Sequence, residues 1–199
     1  MKILLIGASG TIGSAVASEL SQRHEVIGVG RNSGDMQVDI SDSRSIRALF
    51  EQTGRFDALV CAAGNVTFAP LDEMSEDSFA LGLKDKLMGQ VNLLLIGREF
   101  ANDGASFTFT TGVLSNDPIR SGASAALVNG ALDSFVRAAA IELPRGLRVN
   151  SVSPTVLVEA MGKYAPYFRG FKPVPAAEVA LAYAKSVEGL QTGQTFHVG

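Results

Sequence analysis

The chain has 199 residues, the length of one domain, which can bury roughly 70% of its unfolded surface without an outside staple. With 46% hydrophobic residues, 19% charged residues and a formal charge of -3, it is neither a disordered chain nor an obvious polyanion binder, so any nucleic acid it binds is expected to be a nucleotide rather than a strand. The lone Cys61 excludes an internal disulfide, and His24 and His197 show no ligand spacing with carboxylates, so no metal site is expected and a reducing, cytoplasmic compartment is the simplest setting. The opening MKILLIG runs straight into a glycine motif without the length or cleavage site of a signal peptide. No apolar run approaches the length of a membrane span.

In chain order, short runs rich in Val, Ile, Leu and Phe alternate with longer segments of helical period. Strands are predicted at Lys2 to Ile6, Glu25 to Val29, Gln37 to Asp39, Asp57 to Cys61, Ser106 to Thr111, Leu147 to Val152 and Gln194 to Val198. Helices are predicted at Thr11 to Ser21, Ser43 to Gln52 (opened by Ser41 and Asp42), Ser75 to Phe100, Ala123 to Leu143 and Ala176 to Val187. Nothing repeats, and no linker is long enough to divide the chain. This rhythm specifies a doubly wound α/β fold: a seven-stranded parallel sheet with helices on both faces, in one domain, with ligands at the carboxyl ends of the strands.

The first strand ends in GASGTIG, which spaces Gly7, Gly10 and Gly13 three apart just before a helix. Glycines there let the backbone turn tightly and approach a pyrophosphate, which the free N–H groups of the helix start then hold. The second strand, VIGVG, ends without the acid that would hold a ribose 2′-hydroxyl, and Arg31, Asn32 and Ser33 follow instead. A guanidinium and two small donors suit a 2′-phosphate, so NADP(H) is the expected cofactor.

Taken in order, these segments resemble the short-chain dehydrogenase/reductase family from Met1 to Gly199. GASGTIG is similar to the family's TGxxxGxG turn, with Thr11 at its middle glycine. Asp39 and Ile40 resemble the pair that touches the adenine, and CAAG (residues 61 to 64) resembles NNAG without its asparagines. RVNSVSP (148 to 154) is similar to the segment whose proline lies beside the nicotinamide, with Thr155 in place of a glycine. The resemblance implies a Rossmann-like fold and cofactor contacts from Gly7, Ser9, Gly10, Thr11, Ile12, Gly13, Arg31, Asn32, Ser33, Asp39, Ile40, Ala62, Ala63, Gly64, Pro154 and Thr155.

The family's catalytic set is where the likeness breaks. Its Tyr falls on Ala125, its Lys on Asn129, its Ser on Thr111 or Gly112, and its Asn on Lys86. Either Lys86 and Asn129 have exchanged roles across the nicotinamide, or Lys86 faces solvent and Asn129 serves an internal hydrogen bond. Thr111 and Tyr164 are candidate proton donors or carbonyl polarisers, with Tyr167 and Ser124 behind them. The segment from about 156 to 175 is expected to cover a small substrate. Two functions follow: an NADP(H)-dependent oxidoreductase acting on a small carbonyl or alcohol with a non-standard catalytic set, or an NADP(H)-binding protein without turnover. In the family, the helices at 75–100 and 123–143 pair across a dimer axis, so a homodimer or homotetramer is expected, with no membrane partner.

Overall fold

A computed structural model describes all 199 residues. The elements are β1 (Lys2–Ile6), α1 (Thr11–Leu20), β2 (Glu25–Gly30), β3 (Met36–Gln37), α2 (Ser43–Thr53), β4 (Phe56–Cys61), α3 (Glu76–Gly82), a π-turn (Leu83–Leu87) and α4 (Met88–Gly97). They continue with β5 (Ala101–Thr110), α5 (Ala123–Glu142), β6 (Arg148–Pro154), α6 (Met161–Tyr164), α7 (Ala176–Glu188) and β7 (Thr195–Val198). All strands are parallel, in the order β3-β2-β1-β4-β5-β6-β7. The winding reverses between β1 and β4, so a crevice opens at their carboxyl ends.

Covered on both faces, the central strands read as continuous apolar runs whose alternate residues enter different cores. Leu4, Ile6, Leu59, Phe107 and Phe109 join Phe50, Leu93 and Leu132 on one face, while Ile3, Leu5, Ala58 and Val60 join Val16, Val179 and Tyr183 on the other. In β5 the letters FTFT put Phe107 and Phe109 into the first core and turn the Thr108 and Thr110 hydroxyls toward α7. There they meet Ser186 at 2.7 Å and the Tyr183 hydroxyl at 2.5 Å, so the face is polar without leaving those two groups unpaired. Asp42 starts α2 by accepting from the Arg44 N–H at 2.9 Å.

Several boundaries depart from the sequence pattern. The segment Ser75 to Phe100 is α3, a π-turn and α4 rather than one helix, because a single inserted residue barely disturbs helical periodicity. β5 starts at Ala101 instead of Ser106, with a register irregularity opposite Phe56 and Ala58. Its polar start is held by Asn102, which donates to Asp57 at 2.7 Å, and by Arg55 and Arg145 on the Ala101 carbonyl. β3 is Met36–Gln37, so Asp39 and Ile40 lie just beyond it. No helix is long and apolar enough to cross a membrane, and no three His, Cys, Asp or Glu side chains gather as a metal site.

Candidate active site

The glycine turn has the form the sequence implies. Gly7 adopts φ +85°, and a Cβ on Gly13 would stand 2.0 Å from the Gly7 carbonyl oxygen, so the start of α1 can pack on the turn only through glycine. Gly10 caps α1 without a side-chain hydrogen bond, and Ser9, Gly10 and Thr11 are exposed. The first amides of this ten-residue helix are therefore free to meet an anion. The cradle fits a dinucleotide pyrophosphate.

Beside it lies a cavity of about 80 Å³ lined by Gly7, Gly30, Arg31, Asp39, Ile40, Ala63, Gly64 and Asp85, among others. Arg31 is not the unengaged cation that the sequence alone suggests: it donates to Asp39 at 2.7 Å. Hydrogen bonds from Ser41 and Arg31 pull the Asp39 carboxyl down to about 2. A guanidinium carries five N–H donors, so this pair fixes Arg31 at the rim and leaves donors for another anion. Ser33 donates to Ser9 at 3.4 Å, tying the loop after β2 to the glycine turn, whereas Asn32 is exposed.

A second cavity, of about 350 Å³, shares Ala63 and Gly64 with the first and opens to solvent. Ile12, Ala62, Pro154 and Thr155 line one side, and Thr110, Thr111 and Gly112 at the end of β5 line another. Lys86, Ala125 and Asn129 complete the group, so the positions matched to the family's Asn, Tyr, Lys and Ser all meet in one place. Val156, Leu157, Ala160, Tyr164 and Phe168 form a further wall, and the segment that carries them is closed by a bridge between Leu157 and Val174.

Lys86 reaches the cavity because the π-turn brings its stem onto the Ala63-Gly64 turn. A Cβ on Gly64, at φ +131°, would lie 2.7 Å from the Lys86 Cγ. Asp85, the preceding residue, is buried and accepts from the Asn65 backbone N–H at 2.9 Å and from its side-chain amide at 3.2 Å. Gln90, one turn later, accepts from the Thr110 N–H at 2.9 Å and donates to the Lys86 and Thr110 carbonyls. The π-turn, the β4 end and the β5 end are thereby locked together. Lys86 keeps some solvent contact through the cavity but forms no ion pair, the salt bridges all lying elsewhere. Desolvation pushes its ammonium down to about 8, against weaker upward pulls from Cys61 and Asp133.

Asn129 is buried on α5, its Nδ2 3.4 Å from the Gly112 carbonyl, and its Oδ1 has no partner within the protein. An orphaned buried acceptor at a cavity wall is what a ligand hydroxyl or amide would satisfy. One turn on, the buried Asp133 accepts from Ser115 at 3.1 Å, Ser151 at 2.8 Å and Thr195 at 3.3 Å, pinning α5 to β6 and β7. The sequence reading missed Asp85, Gln90 and Asp133. Its available signals were a carboxylate beside Lys86, and an amide and a carboxylate each placed one turn beyond a candidate residue.

The other proton donors fare differently. Thr111 lines the cavity with its hydroxyl 3.4 Å from the Val152 carbonyl. Tyr164 lines it too, its ring packed between Phe68 and Phe168 at 6.2 and 6.4 Å. Ser124 faces Gly82 and does not line the cavity, while Tyr167 lines only the neighbouring cleft. Cys61 is buried, and desolvation pushes its thiol up to about 12, which leaves it inert as a nucleophile.

Comparison with known proteins agrees with this geometry. A family model described as Enoyl-(Acyl carrier protein) reductase matches residues 7–198. The crystal structure of the protein lin1944 from Listeria innocua superposes with a TM-score of 0.99 at 54% identity, each chain covered in full. A small-chain dehydrogenase in complex with NADPH superposes with a TM-score of 0.88 at 25% identity, covering 100% of this chain and 96% of that one. Glucose and ribitol dehydrogenase homolog 2 of Arabidopsis thaliana is 26% identical over 181 residues, which is 82% of this chain but only 62% of the length of that protein. With the glycine turn, the sheet order and the cavity at the strand ends in place, the chain belongs to the short-chain dehydrogenase/reductase family of oxidoreductases, which use NAD(P)H.

Proposed function

We propose that this protein is an NADP(H)-dependent oxidoreductase that interconverts a small carbonyl compound and its alcohol, with Lys86 in the place of the missing tyrosine as proton donor. The observation that carries the reading is that Lys86 and Asn129, from opposite helices, line the same cavity as Pro154 and Thr155. Gly7, Gly10 and Gly13 with the start of α1 would hold the pyrophosphate. Arg31 and Ser33 would face the 2′-phosphate, Asp39 and Ile40 the adenine, and Ala62 to Gly64 and Pro154 to Thr155 the nicotinamide half. Bound NADPH would supply a hydride to the carbonyl carbon. Lys86 Nζ gives its proton to the carbonyl oxygen as negative charge develops there, and the resulting amine regains a proton from water entering the cavity. An ammonium held near 8 is a stronger acid than an ordinary lysine, close to the acidity a general acid needs at neutral pH. Asn129 Oδ1 accepts from a ribose or substrate hydroxyl. Thr111 and Tyr164 bound the substrate, and the segment from 156 to 175 covers it.

A non-catalytic NADP(H)-binding role is the second reading, favoured by Ala125, which presents only a methyl group where the family's tyrosine would stand. Calorimetric titration with NADPH and NADH, on the wild type and on Lys86→Ala, followed by a carbonyl turnover screen, separates the two. Preferential NADPH binding with turnover lost in the variant supports the first. Tight NADPH binding without turnover, matched by an analogue lacking the nicotinamide, supports the second. Binding of neither nucleotide overturns both. We further propose a cytoplasmic homodimer or homotetramer through α3, the π-turn, α4 and α5, where Leu81, Leu83, Met88, Leu95 and Leu127 are exposed. A purely monomeric species in light scattering would refute that assembly.

A further inference from the structure

Next to the Lys86 cavity lies a wider cleft of about 580 Å³, and the two share Phe68 and Tyr164 as a common wall. The rings of these residues stand 6.2 Å apart, tilted by 50°, at the threshold between them. Arg120 comes to the cleft from the turn before α5, and Lys163 from the covering segment. Both are exposed, and neither joins any of the salt bridges. The Lys163 ammonium lies 5.2 Å from the centre of the Tyr164 ring, which holds it over the aromatic threshold.

The surrounding sequence is biased the same way. From Ala160 to Ala177 the segment contains Lys163, Arg169 and Lys172 and no acid. Glu159, just before it, is spent on the Ala176 N–H at 3.0 and 3.2 Å. Asp117, three residues before Arg120, does not line the cleft and pairs with no cation, and from Pro118 to Leu132 Arg120 is the sole charged residue. Asp72 lines an adjoining cavity that Arg120 also borders, but the two form no ion pair. In a chain of net charge -3, two unpaired cations brought to one cleft by separate segments are a local reversal of sign, placed where a substrate would leave the reaction cavity.

We propose that the small carbonyl substrate carries an anionic terminus, its carbonyl in the Lys86 cavity, its body passing between Phe68 and Tyr164, and its anion held by Arg120 and Lys163. This inference rests on the oxidoreductase reading for the carbonyl and on the cleft alone for the anion. The terminus is a carboxylate or a phosphate monoester. Arg120 offers a fork that matches either, and Lys163 adds a point charge.

The test is NADPH-dependent reduction of three para-substituted benzaldehydes ending in carboxamide, carboxylate or phosphate, by the wild type and by R120Q/K163Q. Both substituted residues are exposed, so the fold is retained. The expected result is a preference of about tenfold or more in kcat/KM for one charged aldehyde, expressed in KM, erased in the variant while the carboxamide is unaffected. Which charged aldehyde leads identifies the terminus. Equal kcat/KM across the series, unchanged in the variant, overturns the anion site and leaves the oxidoreductase reading standing. If none is reduced, saturation-transfer NMR with the same compounds decides. Binding of a charged compound that is lost in R120Q/K163Q keeps the anion site and removes the oxidoreductase reading, and no binding overturns the anion site.

Discussion

Replacing Lys86 by methionine should make the protein more stable, and only below the pH at which the lysine gives up its charge. The folded state holds the ammonium near 8 against an ordinary value of 10.5, a difference worth roughly 3 kcal/mol at ~1.4 kcal/mol per pH unit. Residual solvent contact along the cavity lowers the working figure to about 2 kcal/mol. The sign follows from proton counts: between about 8 and 10.5 the unfolded chain holds a proton that the folded chain has lost, so wild-type stability rises with pH across that window. Below it the burden is fully present, and above it both states are neutral. Lys86→Met keeps the aliphatic stem on Gly64 and removes the charge. Urea unfolding of the two proteins near pH 7 should therefore show the variant ahead by about 2 kcal/mol, with the gap closing as the pH passes 10. Burial pushes the Cys61 thiol up to about 12 and the Tyr183 hydroxyl up as well, so both keep their protons across this window. A variant that is less stable than the wild type, or a gap that does not change with pH, would refute the placement of a desolvated ammonium here.

The remaining predictions concern the cofactor and the chemistry. Gly13→Ala sets a Cβ against the Gly7 carbonyl, so NADPH binding by calorimetry should fall at least about a hundredfold, with a stability loss of about 2 kcal/mol. Arg31→Ala should weaken NADPH by about tenfold or more and leave NADH unchanged; equal losses for both nucleotides would remove the 2′-phosphate from its role. Ala125→Tyr restores a phenol to a cavity with room for it and should raise the carbonyl reduction rate by about tenfold or more. The wild-type reduction rate should decline above about pH 8 as Lys86 loses its proton, and a rate flat to pH 10 would assign the proton to another group.

The seven-stranded parallel sheet and the glycine cradle were legible because they rest on local signals: runs of Val, Ile and Leu buried on both faces, and glycines where a Cβ cannot fit. The π-turn was not, since Asp85 and Lys86 sit in a helical pattern that one extra residue leaves almost unchanged. The polar start of β5 read as loop, because Asn102 and Asp103 belong to a strand only through Asp57, Arg55 and Arg145, which are distant in sequence. Arg31 was placed at the right loop, but its bond to Asp39, eight residues away, depends on how the chain turns through the short β3. The arrival of Lys86, Asn129 and Thr111 in one cavity depends on segments far apart in sequence, and only the fold shows it.

The proposed exchange of lysine and asparagine between the two helices has a physical consequence that a simple trade of names hides. A lysine at position 129 would stand one helical turn from Asp133, at the spacing where opposite charges on a helix attract. Asp133 is buried and bound to Ser115, Ser151 and Thr195. A cation there would compete for that carboxylate and be held in its charged form. At position 86 the same cation rests on the Gly64 turn with no ion-pair partner, and desolvation outweighs the weaker pulls of Cys61 and Asp133, so the ammonium becomes a better acid. The amide left at 129 carries no charge for Asp133 to capture and leaves its buried Oδ1 without a partner in the protein. In the proposed site the cavity thus keeps one cation and one amide, while the cation moves from a position that would stabilise its proton to one that favours releasing it.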